Sequence, residues 1–379
     1  MQALYRIVVA SSLLALSACG TVSNAPEPSP LPVVAQTLPV ETQWRASVGD
    51  KTQFRFVPAV DAELLVVAGA PDKLRALDAI TGQSRWQIKT EQAIAGGVGL
   101  GADVVAVGSI KGVVLTYDRT GKFLWKAQAS SEIMAPPAVS NGIVVVKTGD
   151  GRISAFAAAD GKQLWQYQKQ LPSLILRNYA AVTISGNVVY AGMSGGRLVA
   201  LSLQDGRVKW DSPVAVPRGA TELERVTDVV APPVVDGRLV CAVAYQGRVA
   251  CFDAASGSAA WTRELSSWSG LAMDYRYVYA VDAAGNVNAF ERDSGRSVWR
   301  QDKLAARSVS APALLGKYLV VADFAGYSHY LNTEDGSFVA QLATDGARIA
   351  VSPLVAGEHL IIQTLAGNVF SIGLKQGAK

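Results

Sequence analysis

ALDAITGQSRW, residues 76–86, decides how the chain is read, because the phrase keeps returning. TYDRTGKFLW (116–125), AFAAADGKQLW (155–165), ALSLQDGRVKW (200–210), CFDAASGSAAW (251–261) and AFERDSGRSVW (289–299) repeat it, and YLNTEDGSFVA (330–340) repeats it without the tryptophan. The tryptophans at 44, 86, 125, 165, 210, 261 and 299 are spaced by 42, 39, 40, 45, 51 and 38 residues, and Ala340 follows 41 further on. Such a phrase either binds something at each copy or builds a scaffold, and the residues around it decide which.

A second beat runs with the first. Gly112, Gly151, Gly196, Gly247, Gly285, Gly326 and Gly367 each precede an alternating stretch such as RISAF, RLVAL or NVFSI, with Asp72 in the equivalent place of the first copy. Residues 136–167 show one unit whole: Asn141-Gly142, Gly149-Asp150-Gly151 and Asp160-Gly161 are turn signals that separate β-branched and aromatic runs. Four short antiparallel strands in a repeat of about 40 residues make a propeller blade. The expected fold is therefore all-β, an eight-bladed propeller of four-stranded blades. The last unit, SPLVAGEHLIIQTLAGNVFSIGLK, supplies three strands, and VETQWRAS (40–47) stands alone before the first unit. Pairing that stretch with 367–374 completes the eighth blade and closes the ring, leaving no open edge to aggregate. In each copy the Asp-, Thr- or Ser-Gly pair supplies a left-handed turn and the tryptophan covers apolar surface of a neighbouring blade. The phrase reads as scaffold.

Ahead of the propeller the text changes. Residues 1–18 carry one charge, Arg6, and a short apolar run ending in Leu-Ser-Ala before Cys19, the layout of an export signal too short to span a bilayer. LSACG resembles the bacterial lipobox, which implies cleavage before Cys19, lipidation of its thiol and, with Gly20 following, an outer-membrane anchor on the periplasmic side. Residues 19–39 carry Pro26, Pro28, Pro30, Pro32 and Pro39 and read as an extended tether. The propeller is expected over 40–379.

Function classes can be trimmed on composition and motifs. A net charge of +4 without a Lys/Arg cluster gives no groove for nucleic acid. The two histidines, His329 and His359, sit at strand positions without metal-ligand spacing, and no nucleophile elbow or phosphate loop occurs. Cys241 and Cys251 lie symmetrically about Gln246 in a hairpin, where they form either a cross-strand disulfide or two buried thiols.

The phrase also resembles the tryptophan-docking repeat of the pyrroloquinoline-quinone dehydrogenases, so a periplasmic quinoprotein dehydrogenase is the alternative reading. That resemblance implies an adjacent cysteine pair, which the chain lacks, and an Asp in the motif that here becomes Ala157, Ser202, Glu291 and Asn332. No cofactor is expected. Lipobox, proline-rich tether and propeller together, with LPSLILRN (171–178), ATELERVTDVV (220–230) and GSFVAQ (336–341), resemble the BamB family of outer-membrane assembly lipoproteins. The resemblance implies a non-enzymatic scaffold that binds the POTRA domains of BamA and helps outer-membrane proteins fold and insert, with possible contact to nascent clients.

The two intervals that exceed the others end at Trp210 and Trp261, and their excess falls at LPSLILRN and PRGATELERVTD, both interblade loops expected on one face. Leu174 and Leu176 are two apart and point the same way in an extended loop. Read from the residues, they either plug the core or form an exposed contact; resemblance implies that Leu174, Leu176, Arg177 and Asp228 hold the partner. The chain departs from the family pattern at Val230, where relatives can carry a second Asp.

Overall fold

The computed structural model describes residues 26–177 and 179–375. Cys19, the leader 1–18 and the first part of the tether lie outside them. Eight four-stranded antiparallel sheets follow one another around a ring, and no helix occurs among the described residues. The third blade is typical, with Ala138–Ser140, Ile143–Lys147, Ile153–Ala157 and Gln163–Tyr167 paired in that order. Its second strand is buried at every position, because a blade is covered on both faces by its neighbours. This is why the middle strands read as unbroken apolar runs while the outer strands alternate.

Each tryptophan performs the same docking. The indole N–H of Trp86, Trp125, Trp165, Trp210, Trp261 and Trp299 donates to a carbonyl in the third-to-fourth-strand turn of the next blade, at 2.7–3.0 Å. The ring lies on that turn's glycine. At Gly161, φ is +75° and an added Cβ would stand 2.4 Å from the Trp125 ring, so the glycine is required both for its backbone angle and for close approach. A register shift in the outer strand accompanies every docking: Ala155 pairs with Trp165 but Phe156 pairs with Gln163, so one residue bulges just before the ring. Bulges of this kind re-aim a side chain. The motif Asp caps the turn, as Asp78 Oδ1 accepts the backbone N–H of Ile80 and Thr81; Arg85, bonded to the same carboxyl, and those N–H groups hold its pKa down to about 2. Where Asp is absent, the turn finds another acceptor, such as Asp160 for the Lys162 N–H.

Ring closure follows the expected pairing. Val40–Ser47 lies antiparallel to Asn368–Leu374, with Arg45 opposite Phe370 and Trp44 opposite Ser371. Trp44 then docks on the first blade, donating to Ala79 O at 3.2 Å above Gly82. Leu65 and Val67 of the first blade share a core with Ile361 and Val369 of the eighth, so the seam is packed like any other blade junction.

The tether differs from a free leash through Pro39. Ser29 N–H donates to Ala305 O and Ser29 O accepts from Arg307. Gln36 exchanges two hydrogen bonds with the backbone of Gln341, Thr37 N–H donates to Val339 O, and Leu38 is buried. The physical reason is the outer strand Phe338–Ala343 of the seventh blade, whose edge groups would otherwise face solvent.

A disulfide joins Cys241 and Cys251, which are directly opposed on the middle strands of the fifth blade with Cα atoms 4.1 Å apart. His329 is fully buried, with Nε2 3.1 Å from Asp323 Oδ2.

Candidate functional site

The partner residues singled out from the sequence gather over the third to fifth blades, on the face that carries the interblade loops. Asp228 organises them. Its Oδ2 accepts the N–H of Leu176 at 2.7 Å, its Oδ1 accepts that of Gly195 at 2.9 Å, and its carbonyl accepts from Tyr245 at 2.8 Å. Three separate pieces of chain, loop 171–177 and two second-to-third-strand turns, are thereby tied to one residue. Asp228 is 1% exposed, so its carboxylate faces the loops and not solvent, unlike the partner-facing position expected for it. Lys147 lies beneath; its Nζ donates to Gly192 O, and burial pushes its pKa down to about 8 against the opposing pull of Asp228.

The brace leaves apolar side chains outside. Leu174 is 43% exposed, Leu176 is half-buried and Arg177 is exposed, its guanidinium 4.0 Å from Met134 Sδ. Leu174 and Arg177 thus turn outward and Leu176, whose N–H is anchored, turns partly in. On the second loop Thr221 and Glu224 form a reciprocal cap: the Glu224 carboxylate accepts from the N–H of Ala220 and Thr221, and Thr221 Oγ1 accepts from Glu224 N–H. Those backbone N–H groups hold the Glu224 carboxyl below the usual carboxylate range. The single turn so fixed presents Leu223, 69% exposed. Leu223 was missed in the sequence, yet Thr-Glu-Leu-Glu carries the Thr-x-x-Glu capping signal that would have found it. Val230, at the departure from the family pattern, is half-buried at the wall of the central channel.

A fold held together by tryptophan docking, closed by its N-terminal strand and elongated at two loops of one face can be compared with known proteins. The family model described as "Outer membrane protein assembly factor BamB" matches residues 72–301 and 283–379. The chain belongs to the BamB family. It is 40% identical over 314 residues to the outer membrane protein assembly factor BamB of Bordetella pertussis, covering 82% of this chain and 81% of that one. With the Burkholderia pseudomallei member the identity is 41% over 313 residues, and 82% of each chain is covered. The crystal structure of BamB from Moraxella catarrhalis superposes with a TM-score of 0.81 at 26% identity, over 88% of this chain and all of that chain. The quinohemoprotein alcohol dehydrogenase of Comamonas testosteroni gives a TM-score of 0.72 over 91% of this chain and 78% of that one, but at 13% identity it shares the fold alone.

Proposed function

We propose that the chain is a non-enzymatic scaffold lipoprotein of the outer-membrane β-barrel assembly complex. Residues 1–18 are its export leader and Cys19 its lipid anchor on the periplasmic face of the outer membrane. Residues 19–39 join that anchor to the propeller, and among the described residues Ser29 makes the first backbone hydrogen bond of this segment to it. The face bearing loops 171–178 and 214–229 binds the POTRA domains of BamA and so supports folding and insertion of outer-membrane proteins. One observation carries the docking assignment: Leu174 and Leu223 stand exposed on two loops whose backbones are fixed, the first by buried Asp228 and the second by Glu224 within its own turn. Exposed apolar groups on a preorganised backbone lose little entropy on binding, and a neighbouring Arg177 gives the composition of a binding hot spot. The dehydrogenase reading has the repeated phrase and the shared propeller in its favour, but not the adjacent cysteine pair that its resemblance implies.

The test is partner recovery from detergent-solubilised native membranes. Leu174→Glu with Arg177→Glu is expected to lose the large β-barrel partner while the isolated propeller keeps its melting temperature, each residue contributing on the order of 1 kcal/mol or more. Cys19→Ala is expected to release a folded protein into the periplasmic fraction. Normal recovery with the double variant, or a Cys19→Ala protein that stays in the membrane pellet at high salt, refutes the corresponding part.

A further inference from the structure

The interblade segments do more than carry the two long loops. Just before each first strand they converge on the central axis, and on this face they enclose a cavity of ≈ 260 Å³. Its wall is largely apolar, with Val57, Val309 and Ile349 among its residues, and Tyr179 and Trp268 at its aromatic side. Trp268 is the one tryptophan outside the docking series; it is 47% exposed and stacks on Tyr245 with ring centroids 5.8 Å apart. Two charged side chains line the cavity, Arg55 and Arg348, and no acidic residue does among those described. Neither guanidinium takes part in an ion pair with any described residue. Arg55 is half-buried, with its guanidinium carbon 4.9 Å from the centroid of the Tyr179 ring. That stacking occupies a face of the planar group and leaves its N–H edge for another acceptor. Burial first, and the like charge of Arg348 second, push the Arg55 guanidinium below its ordinary pKa, with Tyr179 partly opposing.

Arg348 is exposed and Arg55 half-buried, so the Arg55 charge is the one partly withdrawn from water, and an anion at the mouth would offset both its burial and its repulsion from Arg348. Elsewhere in this molecule, arginines withdrawn from solvent have found carboxylates: Arg197 has Asp211, Arg292 has Asp236 and Arg307 has Asp323. A carboxylate suits the pair, since guanidinium recognises it through paired N–H donors, and the apolar and aromatic wall suits a hydrocarbon body attached to it. We propose that this channel mouth is a binding site for a carboxylate carrying an apolar or aromatic group, held by Arg55 and Arg348. The same chemistry is offered by a free small acid and by the C-terminal end of a polypeptide. This site is distinct from the exposed loop leucines and does not depend on the assembly role.

Titration calorimetry of the propeller with hydrocinnamate, and with hydrocinnamamide as the uncharged control, tests it. The acid is expected to bind saturably and the amide not. Arg55→Gln and Arg348→Gln are each expected to weaken the acid about tenfold or more at unchanged melting temperature. Raising the salt concentration is expected to weaken the acid on the unaltered protein, a readout that survives if a variant folds poorly. A five-residue peptide with an aromatic last residue, free or amidated at its C-terminus, separates the sources. A free-ended peptide that binds about tenfold tighter than hydrocinnamate identifies a chain end, and one that binds more weakly identifies a small acid. The proposal is overturned if no acid binds saturably up to roughly 10 mM, if the amides bind as well as the acids, or if both arginine variants bind unchanged. Loss of the barrel partner on altering Leu174 and Arg177, with acid binding retained, would show that the two sites act separately.

Discussion

Alanine at Gly161 and alanine at Gly142 are nearly the same change in backbone terms and very different ones in packing. Both glycines have left-handed φ, +75° and +71°, but a Cβ on Gly161 would stand 2.4 Å from the Trp125 ring, whereas nothing lies within 4 Å at Gly142. Holding an L-residue in that region costs about 1–2 kcal/mol, and Gly142→Ala is expected to cost no more. Gly161→Ala must in addition displace an indole. Overpacking of that kind costs about 1–3 kcal/mol, and the Trp125 Nε1–Ala158 O bond of 2.7 Å, if broken, about 1 more. The expected difference between the two variants is therefore about 2–4 kcal/mol. Urea unfolding of the propeller measures it, and a double-mutant cycle isolates it. In a Trp125→Ala background, itself costing about 3–5 kcal/mol, Gly161→Ala should fall back to the backbone cost alone, giving a coupling of about 2–4 kcal/mol. If Gly161→Ala and Gly142→Ala are within about 0.5 kcal/mol of each other, or the coupling is near zero, the repeated phrase does not act by docking a ring on the next blade's turn, and the blades are held together by something else.

Three further outcomes follow from other parts of the molecule. Deleting residues 26–38 uncovers the seventh-blade edge and removes buried Leu38, for an expected loss of about 1–3 kcal/mol; deletion through Ser47 also removes the closing strand and Trp44, adding at least about 3–5. Equal urea midpoints for the two truncations would refute closure by that strand. Burial raises the Asp323 carboxyl, but hydrogen bonds from His329, from the Tyr327 N–H and from Arg307 outweigh it and hold the folded pKa below the ordinary value. The stabilisation is thus complete above about pH 4, the unfolded aspartate pKa, and is lost as pH falls through the lower folded value; unfolding free energies from pH 6 down to pH 2 should fall less steeply in Asp323→Asn, and an unchanged slope counts against it. Asp228→Ala strands the N–H groups of Leu176 and Gly195 at about 1–3 kcal/mol each, so hydrogen exchange at 171–177 should quicken well beyond that of the seven other interblade segments, and equal protection would show that the loop is held by something else.

The sequence made the strands, turns and closing pair legible because each depends on residues close together in the chain: a Gly at a left-handed turn, an alternating run, a tryptophan at a fixed offset. The bulge before each tryptophan left no mark, since the extra residue is Arg85 in one blade, Leu164 in another and Ala260 in a third, and only the strand opposite defines it as extra. The site was half legible for the same reason. The lengthened loops could be counted, but that Asp228 faces inward is set by N–H groups from residues 176 and 195, which no local pattern reports. Ala340 lies between these cases, because its alanine is a consequence of the closure. In blades one to six the outer-strand tryptophan stands opposite a small or modest residue, Ala76, Thr116, Ala155, Ala200, Cys251 or Ala289, and docks on the turn that joins the next blade's third and fourth strands. The eighth blade has no such turn, because its fourth strand is Val40–Ser47 and its third ends at Leu374, far away in sequence. Among the described residues no glycine follows Leu374 on which a tryptophan at 340 could lie. The volume is supplied from two other places: Tyr330, fully buried, stands opposite Ala340, and Leu38 packs into the same core from the segment that leads into the closing strand. It follows that Ala340→Trp should overfill this junction, because the missing ring and the borrowed strand are one feature of the fold seen from its two ends.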